Sequence, residues 1–129
     1  MGPDLTLEAV ERYVAALNTG DADRIAACVS PDFHNEHTSA AGRSLRGRDA
    51  YRTALDGFLS EFEDLRYEVE DLIVEGDRAA VAYRMTFRLR GTPVLIRGMF
   101  RIRVEAGLLA HRVDYWDGAD FARQTAPSS

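Results

Sequence analysis

The chain has 129 residues, 46% of them hydrophobic and 29% charged, a composition that suits one globular domain over residues 1–129 and excludes a disordered or two-domain chain. Twenty-one acidic residues outweigh sixteen basic ones for a net charge of −5, which speaks against a nucleic-acid partner, whose phosphates need a basic surface. No apolar run approaches the ~18 to 20 residues of a membrane helix, and Met1-Gly2-Pro3-Asp4 carries no basic, apolar leader, so a soluble cytoplasmic protein is expected.

The first third reads as helix. Thr6 is the expected N-cap, and Val10, Tyr13, Val14 and Leu17 recur at helical spacing. Asn18-Thr19-Gly20 stops this helix, and Asp21 caps a second, short one carrying Ile25, Cys28 and Val29 that ends before Ser30-Pro31. Cys28, the single cysteine, reads as a small core residue, since it can form neither an internal disulfide nor a thiolate metal site. From Asp32 to Gly47 the periodicity disappears, with Phe33-His34-Asn35-Glu36-His37 as a short extended segment before a polar loop. A third helix follows, in which Tyr51, Leu55, Phe58, Leu59 and Phe62 belong to a broad apolar stripe.

The remainder alternates as strands do. Segments 65–75, 78–90, 94–105 and 108–117 are separated by Gly76-Asp77, Gly91-Thr92-Pro93 and Ala106-Gly107, so an antiparallel meander is expected. In the second of these, Val81, Tyr83, Met85, Phe87 and Leu89 share one face, and Arg84, Thr86, Arg88 and Arg90 the other. Residues 124–129 read as a frayed tail. All sixteen basic residues are arginine, and their spread over helices and strands alike suits a GC-rich coding bias better than a set of anion sites. Helices followed by long hairpin-linked strands give an α+β fold, with helices covering one face of a curved sheet around a cavity.

Several stretches carry a resemblance along nearly the whole chain. They are Leu17-Asn18-Thr19-Gly20-Asp21 after Tyr13, Ser30-Pro31-Asp32-Phe33, Gly47-Arg48-Asp49-Ala50, Glu75-Gly76-Asp77-Arg78, Arg97-Gly98-Met99-Phe100-Arg101-Ile102 and Val113-Asp114-Tyr115-Trp116-Asp117. In their order and spacing the chain resembles the NTF2-like superfamily, and within it the SnoaL-like and ketosteroid-isomerase-like small proteins. The resemblance implies an NTF2-like cone of about three N-terminal helices on a curved, mostly antiparallel sheet, and a homodimer. Members include isomerases, dehydratases, epoxide hydrolases, polyketide cyclases and non-enzymatic modules, so the fold alone does not choose a reaction.

Asp114 is the first candidate for chemistry. It matches the late-strand acid/base aspartate of the resembled cyclases and epoxide hydrolases, and alternation puts it on one face with Ala110, Arg112 and Trp116. A carboxylate in an apolar cavity has its pKa raised towards neutrality, which suits proton transfer. The competing expectation is an ordinary cross-strand ion pair with Arg84 or Arg112. Arg84 is the partner the resemblance implies, but Arg84-Met85-Thr86 has threonine where related epoxide hydrolases carry a second carboxylate. Asn35 matches their water-holding asparagine, and Tyr13 a helix-one tyrosine that donates to a developing oxyanion.

Phe33, His37, Trp116 and Phe58 are expected to bind substrate along the cavity wall. His34, Glu36 and His37 invite a metal reading, but His34 and His37 would point to opposite sides of a strand, and His111 belongs to the face opposite Asp114. No metal and no cofactor are therefore expected. Two arrangements of the sheet stay open. Either the arginine face of segment 78–90 lines the cavity and selects an anionic ligand, or the Tyr83-Met85-Phe87 face does, the pocket is greasy, and Arg84 has no catalytic part. The expected function is a small-molecule enzyme (isomerase, polyketide-type cyclase or epoxide hydrolase) acting on a compact hydrophobic metabolite of the kind made in bacterial secondary metabolism. The alternative is a ligand-binding or dimerisation module of the same fold.

Overall fold

In a computed structural model that describes residues 3–127, the helical and alternating periods appear as α1 (Pro3–Leu17), α2 (Ala22–Ala26), β1 (Val29–His37), β2 (Leu45–Arg46), α3 (Arg48–Glu61), β3 (Phe62–Glu75), β4 (Arg78–Leu89), β5 (Thr92–Glu105), β6 (Leu108–Tyr115) and α4 (Gly118–Thr125). The strands form one open, curved sheet in the order β2-β1-β6-β5-β4-β3. The expected meander β3 to β6 is antiparallel, while β1 joins β6 in parallel. The fold is thus the α+β, mostly antiparallel sheet that the sequence implied. No helix among the described residues is long and apolar enough to cross a membrane.

The long hairpins close through two-residue turns. Ala106 and Gly107 both take positive φ, 51° and 77°, the backbone twist that matches neighbouring antiparallel strands. Asp21 caps α2 as its sequence suggests, accepting from the backbone N–H groups of Asp23 and Arg24. Asn18, just past α1, binds the backbone of Tyr67 in both directions, its Nδ2 donating at 3.0 Å and its Oδ1 accepting at 2.7 Å. That pair fixes the end of the first helix against β3.

One face of the sheet is covered by helices and one is not. Val81, Tyr83, Met85, Phe87 and Leu89 point inward and are buried, with Phe100 and Ile102 of β5 beside them. They meet Ala9, Val10, Tyr13 and Leu17 of α1 and Tyr51 and Leu55 of α3. Each large side chain so covered contributes roughly 1.5–3 kcal/mol of transfer free energy, which decides the facing of the sheet. The greasy arrangement therefore holds. Arg84 and Arg88 lie exposed on the outer face, where Arg97 pairs with Glu70 at 2.9 Å.

Four local expectations are corrected. The short second helix ends at Ala26, before Cys28, and Val29 opens β1 instead of closing that helix. Thr6 does not cap α1, which already runs from Pro3; it sits inside the helix and donates to the Gly76 carbonyl at 2.6 Å. A fourth helix, α4, was not expected; its N-cap Asp117 accepts from the N–H groups of Ala119 and Asp120. The start of the supposed frayed tail is anchored, because Gln124 exchanges two hydrogen bonds with the backbone of Leu95, at 2.9 and 2.7 Å. The tail's last two residues, Ser128 and Ser129, lie outside the described residues.

Candidate functional site

A cavity of about 540 Å³ lies between α3, the segment after β1 and the inner face of the sheet. Its walls are mainly apolar, with Leu55, Phe58, Met85, Phe87, Ile96 and Trp116 among them. Polar groups gather at one end: Asn35 and His37 from β1, Tyr83 from β4, and Arg112 and Asp114 from β6. Alternation explains the grouping, since 35 and 37 share one face of β1 while 112 and 114 share one face of β6. The parallel register sets Asn35 beside Arg112 and His37 beside Asp114.

Asp114 is buried, 6% exposed. Its Oδ1 accepts a 2.6 Å hydrogen bond from the Tyr83 hydroxyl. Burial raises its pKa above its ordinary value, with the Arg112 charge and the Tyr83 hydrogen bond pulling the other way. His37 stands with Nδ1 3.7 Å from Asp114 Oδ2. This is not an ion pair, because burial and the Arg112 charge push the imidazole pKa down to about 4. The ring is neutral near pH 7, and the Trp116 indole N–H donates to Nδ1 at 3.0 Å, which assigns the imidazole proton to Nε2.

Arg112 is 5% exposed and held from several sides. Its Nε donates to Asn35 Oδ1 at 2.9 Å and one terminal nitrogen to the Tyr13 hydroxyl at 2.7 Å. The Tyr13 and Tyr51 hydroxyls are 2.6 Å apart, and the guanidinium lies 4.7 Å from the Phe100 ring centroid. Burial raises the phenol pKa values of Tyr13, Tyr51, Tyr67 and Tyr83, so all four keep their protons at neutral pH. A charged guanidinium buried among phenols biases the cavity end against cations and steadies a nearby carboxylate.

The candidates named from sequence divide clearly. Asp114, Asn35, His37, Trp116 and Phe58 all line the cavity. Tyr13 is fully buried behind the wall and reaches the site only through Arg112 and Tyr51. Phe33 is likewise buried outside the lining, its ring 5.0 Å from that of Tyr51, so the expected substrate contact is corrected to a packing one. Arg84 is on the far face, and the arginine near Asp114 is Arg112, which the alternation of β6 had already placed beside it. Tyr83, Tyr51 and Tyr67 were missed as site residues. In sequence they are members of apolar stripes, and only the packing shows their hydroxyls turned to the polar end.

Gly98 makes the Tyr83–Asp114 contact possible. A Cβ at residue 98 would collide with the Tyr83 hydroxyl and the Tyr115 carbonyl, so only glycine lets that phenol sit against β5. Among the described residues, the one trio with metal-ligand chemistry, His34, Glu36 and His111, lies outside the cavity lining.

In structure, the chain is similar to TsrD from Streptomyces laurentii, at 26% identity and a TM-score of 0.79, with 98% of each chain covered. It is also similar to a protein of ketosteroid isomerase-like fold from Catenulispora acidiphila in complex with trimethylamine, at 15% identity and a TM-score of 0.84 over 94% of each chain. An LEH-like epoxide hydrolase from M. tuberculosis shares 18% identity and a TM-score of 0.82, over 95% of this chain and 90% of its own. No curated protein matches the sequence. The sequence pattern of the SnoaL-like domain matches residues 10–112, from within α1 into β6. On that span, and with the fold it shares with NTF2-like and ketosteroid isomerase-like proteins, this chain belongs to the SnoaL-like domain family.

Proposed function

We propose that the protein is an acid/base enzyme acting on a compact hydrophobic metabolite without a cofactor, with Asp114 as the proton carrier. The observation that carries this reading is a single buried carboxyl of raised pKa at the polar end of an apolar cavity. As carboxylate, Asp114 takes a proton from a carbon beside a carbonyl; as carboxylic acid, it returns that proton to another atom of the same substrate. The substrate oxygen that gains charge is met by neutral donors, the His37 Nε2–H and the Asn35 amide, whose Oδ1 is already engaged by Arg112. Tyr83 and Arg112 act as positioning residues, one holding Oδ1 and the other balancing charge. Isomerisation and aldol-type cyclisation fit one shuttling carboxyl better than epoxide opening, which needs an acid and a base at once. The other carboxylate lining the cavity, Glu61, is exposed.

The same single carboxyl, with one oxygen already bound to Tyr83, favours a second reading, a ligand-binding module without turnover. Assaying wild type and Asp114→Asn against cyclic ketones, poly-β-ketones and epoxides separates the two. Loss of turnover by about 10²-fold or more in the variant supports the enzyme. Saturable binding with no chemistry in either protein leaves the module. The homodimer implied by the family likeness is part of this proposal, supported by Ile73, Met99 and Tyr115, which are 61%, 41% and 40% exposed on the uncovered sheet face.

A further inference from the structure

On that uncovered face, strands far apart in sequence bring together two imidazoles and a carboxylate. His34 of β1 stands directly across from His111 of β6 in the parallel register. Their rings stack with centroids 4.8 Å apart and planes within 1°. Glu36, two residues along β1 on the same face, turns one carboxylate oxygen, Oε1, to both rings. That oxygen is 3.3 Å from His34 Nδ1 and 2.7 Å from His111 Nε2. One ligand atom from each residue lies within 4.8 Å of the other two, and all three side chains are half-buried.

These separations bear comparison with metal geometry. Bonds of about 2.0–2.1 Å in a tetrahedral centre put neighbouring ligand atoms about 3.3 Å apart. The His34–Glu36 contact already has that value, the His111–Glu36 hydrogen bond is shorter, and the two stacked rings would turn about χ2 to bring both lone pairs onto one ion. Both strands are interior to the sheet, flanked by β2 and β5, so the backbone carrying the ligands is fixed. The geometry points to a binding site for a divalent transition metal of the zinc class, held by His34 Nδ1, His111 Nε2 and the Glu36 carboxylate.

Two imidazoles and one carboxylate leave at least one coordination position for water or an exchangeable ligand. Arginines surround the trio. Arg46 of β2 is paired in register with His34, and Arg103 of β5 with His111. Arg103 is engaged by Glu105 at 2.6 Å, and Arg101 binds the Tyr115 hydroxyl. The arginines repel any dication alike, so the choice of metal rests on the ligands: two imidazole nitrogens suit zinc and not magnesium, which takes oxygen ligands. The site is separate from the cavity and does not depend on Asp114 being catalytic.

The test is calorimetric titration of the full-length protein with zinc chloride, with magnesium chloride as the hard-ion control. Saturable binding of one zinc per chain is expected, with no comparable magnesium signal. His34→Ala, His111→Ala and Glu36→Gln should each weaken it by about tenfold or more, at least the cost of losing an outer-shell partner, while His37→Gln leaves it unchanged. Cobalt(II) added to wild type should develop the visible band of a nitrogen- and oxygen-ligated centre, a readout that needs no variant to fold. Absence of saturable zinc binding, binding that survives all three ligand variants, or loss on His37→Gln alone overturns the proposal.

Discussion

Removing the Tyr83 hydroxyl tests the state of Asp114 directly. In wild type the phenol donates to Asp114 Oδ1 at 2.6 Å, with Tyr83 and Asp114 only 2% and 6% exposed. A hydrogen bond to a charged partner contributes about 1.5–3 kcal/mol, and one between neutral groups about 0.5–1.5 kcal/mol. Tyr83→Phe should therefore cost about 1.5–3 kcal/mol where Asp114 is ionised and about 1 kcal/mol where it is protonated. The sign follows from linkage. Burial holds the folded pKa above the unfolded value, so stability falls as pH rises through the window between them. The Tyr83 bond restrains that rise, and its loss widens the window upward. Urea unfolding followed by the fluorescence of Trp116, the single tryptophan, measures the cost from acidic to neutral pH, and carboxyl NMR reads the Asp114 midpoint. An identical cost at every pH, or a midpoint that moves down, would refute the reasoning.

His37 gives a pH dependence of its own. Its pKa falls from 6.5 to about 4 on folding, so its contribution is complete above the unfolded value and is lost as pH drops through that interval. At about 1.4 kcal/mol per unit the loss is on the order of 3 kcal/mol. The difference in unfolding free energy between wild type and His37→Gln should show that slope, and a flat difference would contradict it. Gly98→Ala forces a Cβ against the Tyr83 hydroxyl and the Tyr115 carbonyl, and should cost about 1–3 kcal/mol by overpacking. Thermal unfolding of the Gly98→Ala, Tyr83→Phe double variant checks the cause, since part of the cost should return once the hydroxyl is gone.

Much of the architecture was legible because local patterns carry it. The apolar stripe of α3, the Asp21 cap and the alternation of β4 each follow from a few neighbouring residues. Arg112 and Asp114 were readable as one face of β6 from period alone. Family likeness pulled the other way at Arg84, and packing overrode it. The stripes of α1 and α3 must be covered by an apolar surface, and on β4 that surface is Tyr83-Met85-Phe87, which turns Arg84 to solvent. Tyr83 hid as a site residue because its ring serves the core while its hydroxyl serves Asp114.

By itself, then, the amino-acid order determined which residues share a strand face, where most of the helices and the hairpin turns fall, and that Asp114 and Arg112 stand on one face of the last strand. A period of two divides a strand into faces but does not say which is covered, and it says nothing about a strand's neighbours. Those were settled by the helices docking on the greasier face and by β1 adding in parallel to β6. That pairing brings His37 to Asp114 on one side of the sheet and His111 to Glu36, 75 residues away in the chain, on the other. Neither meeting could be seen locally, because each depends on which strand edge remains for β1 once the meander is formed.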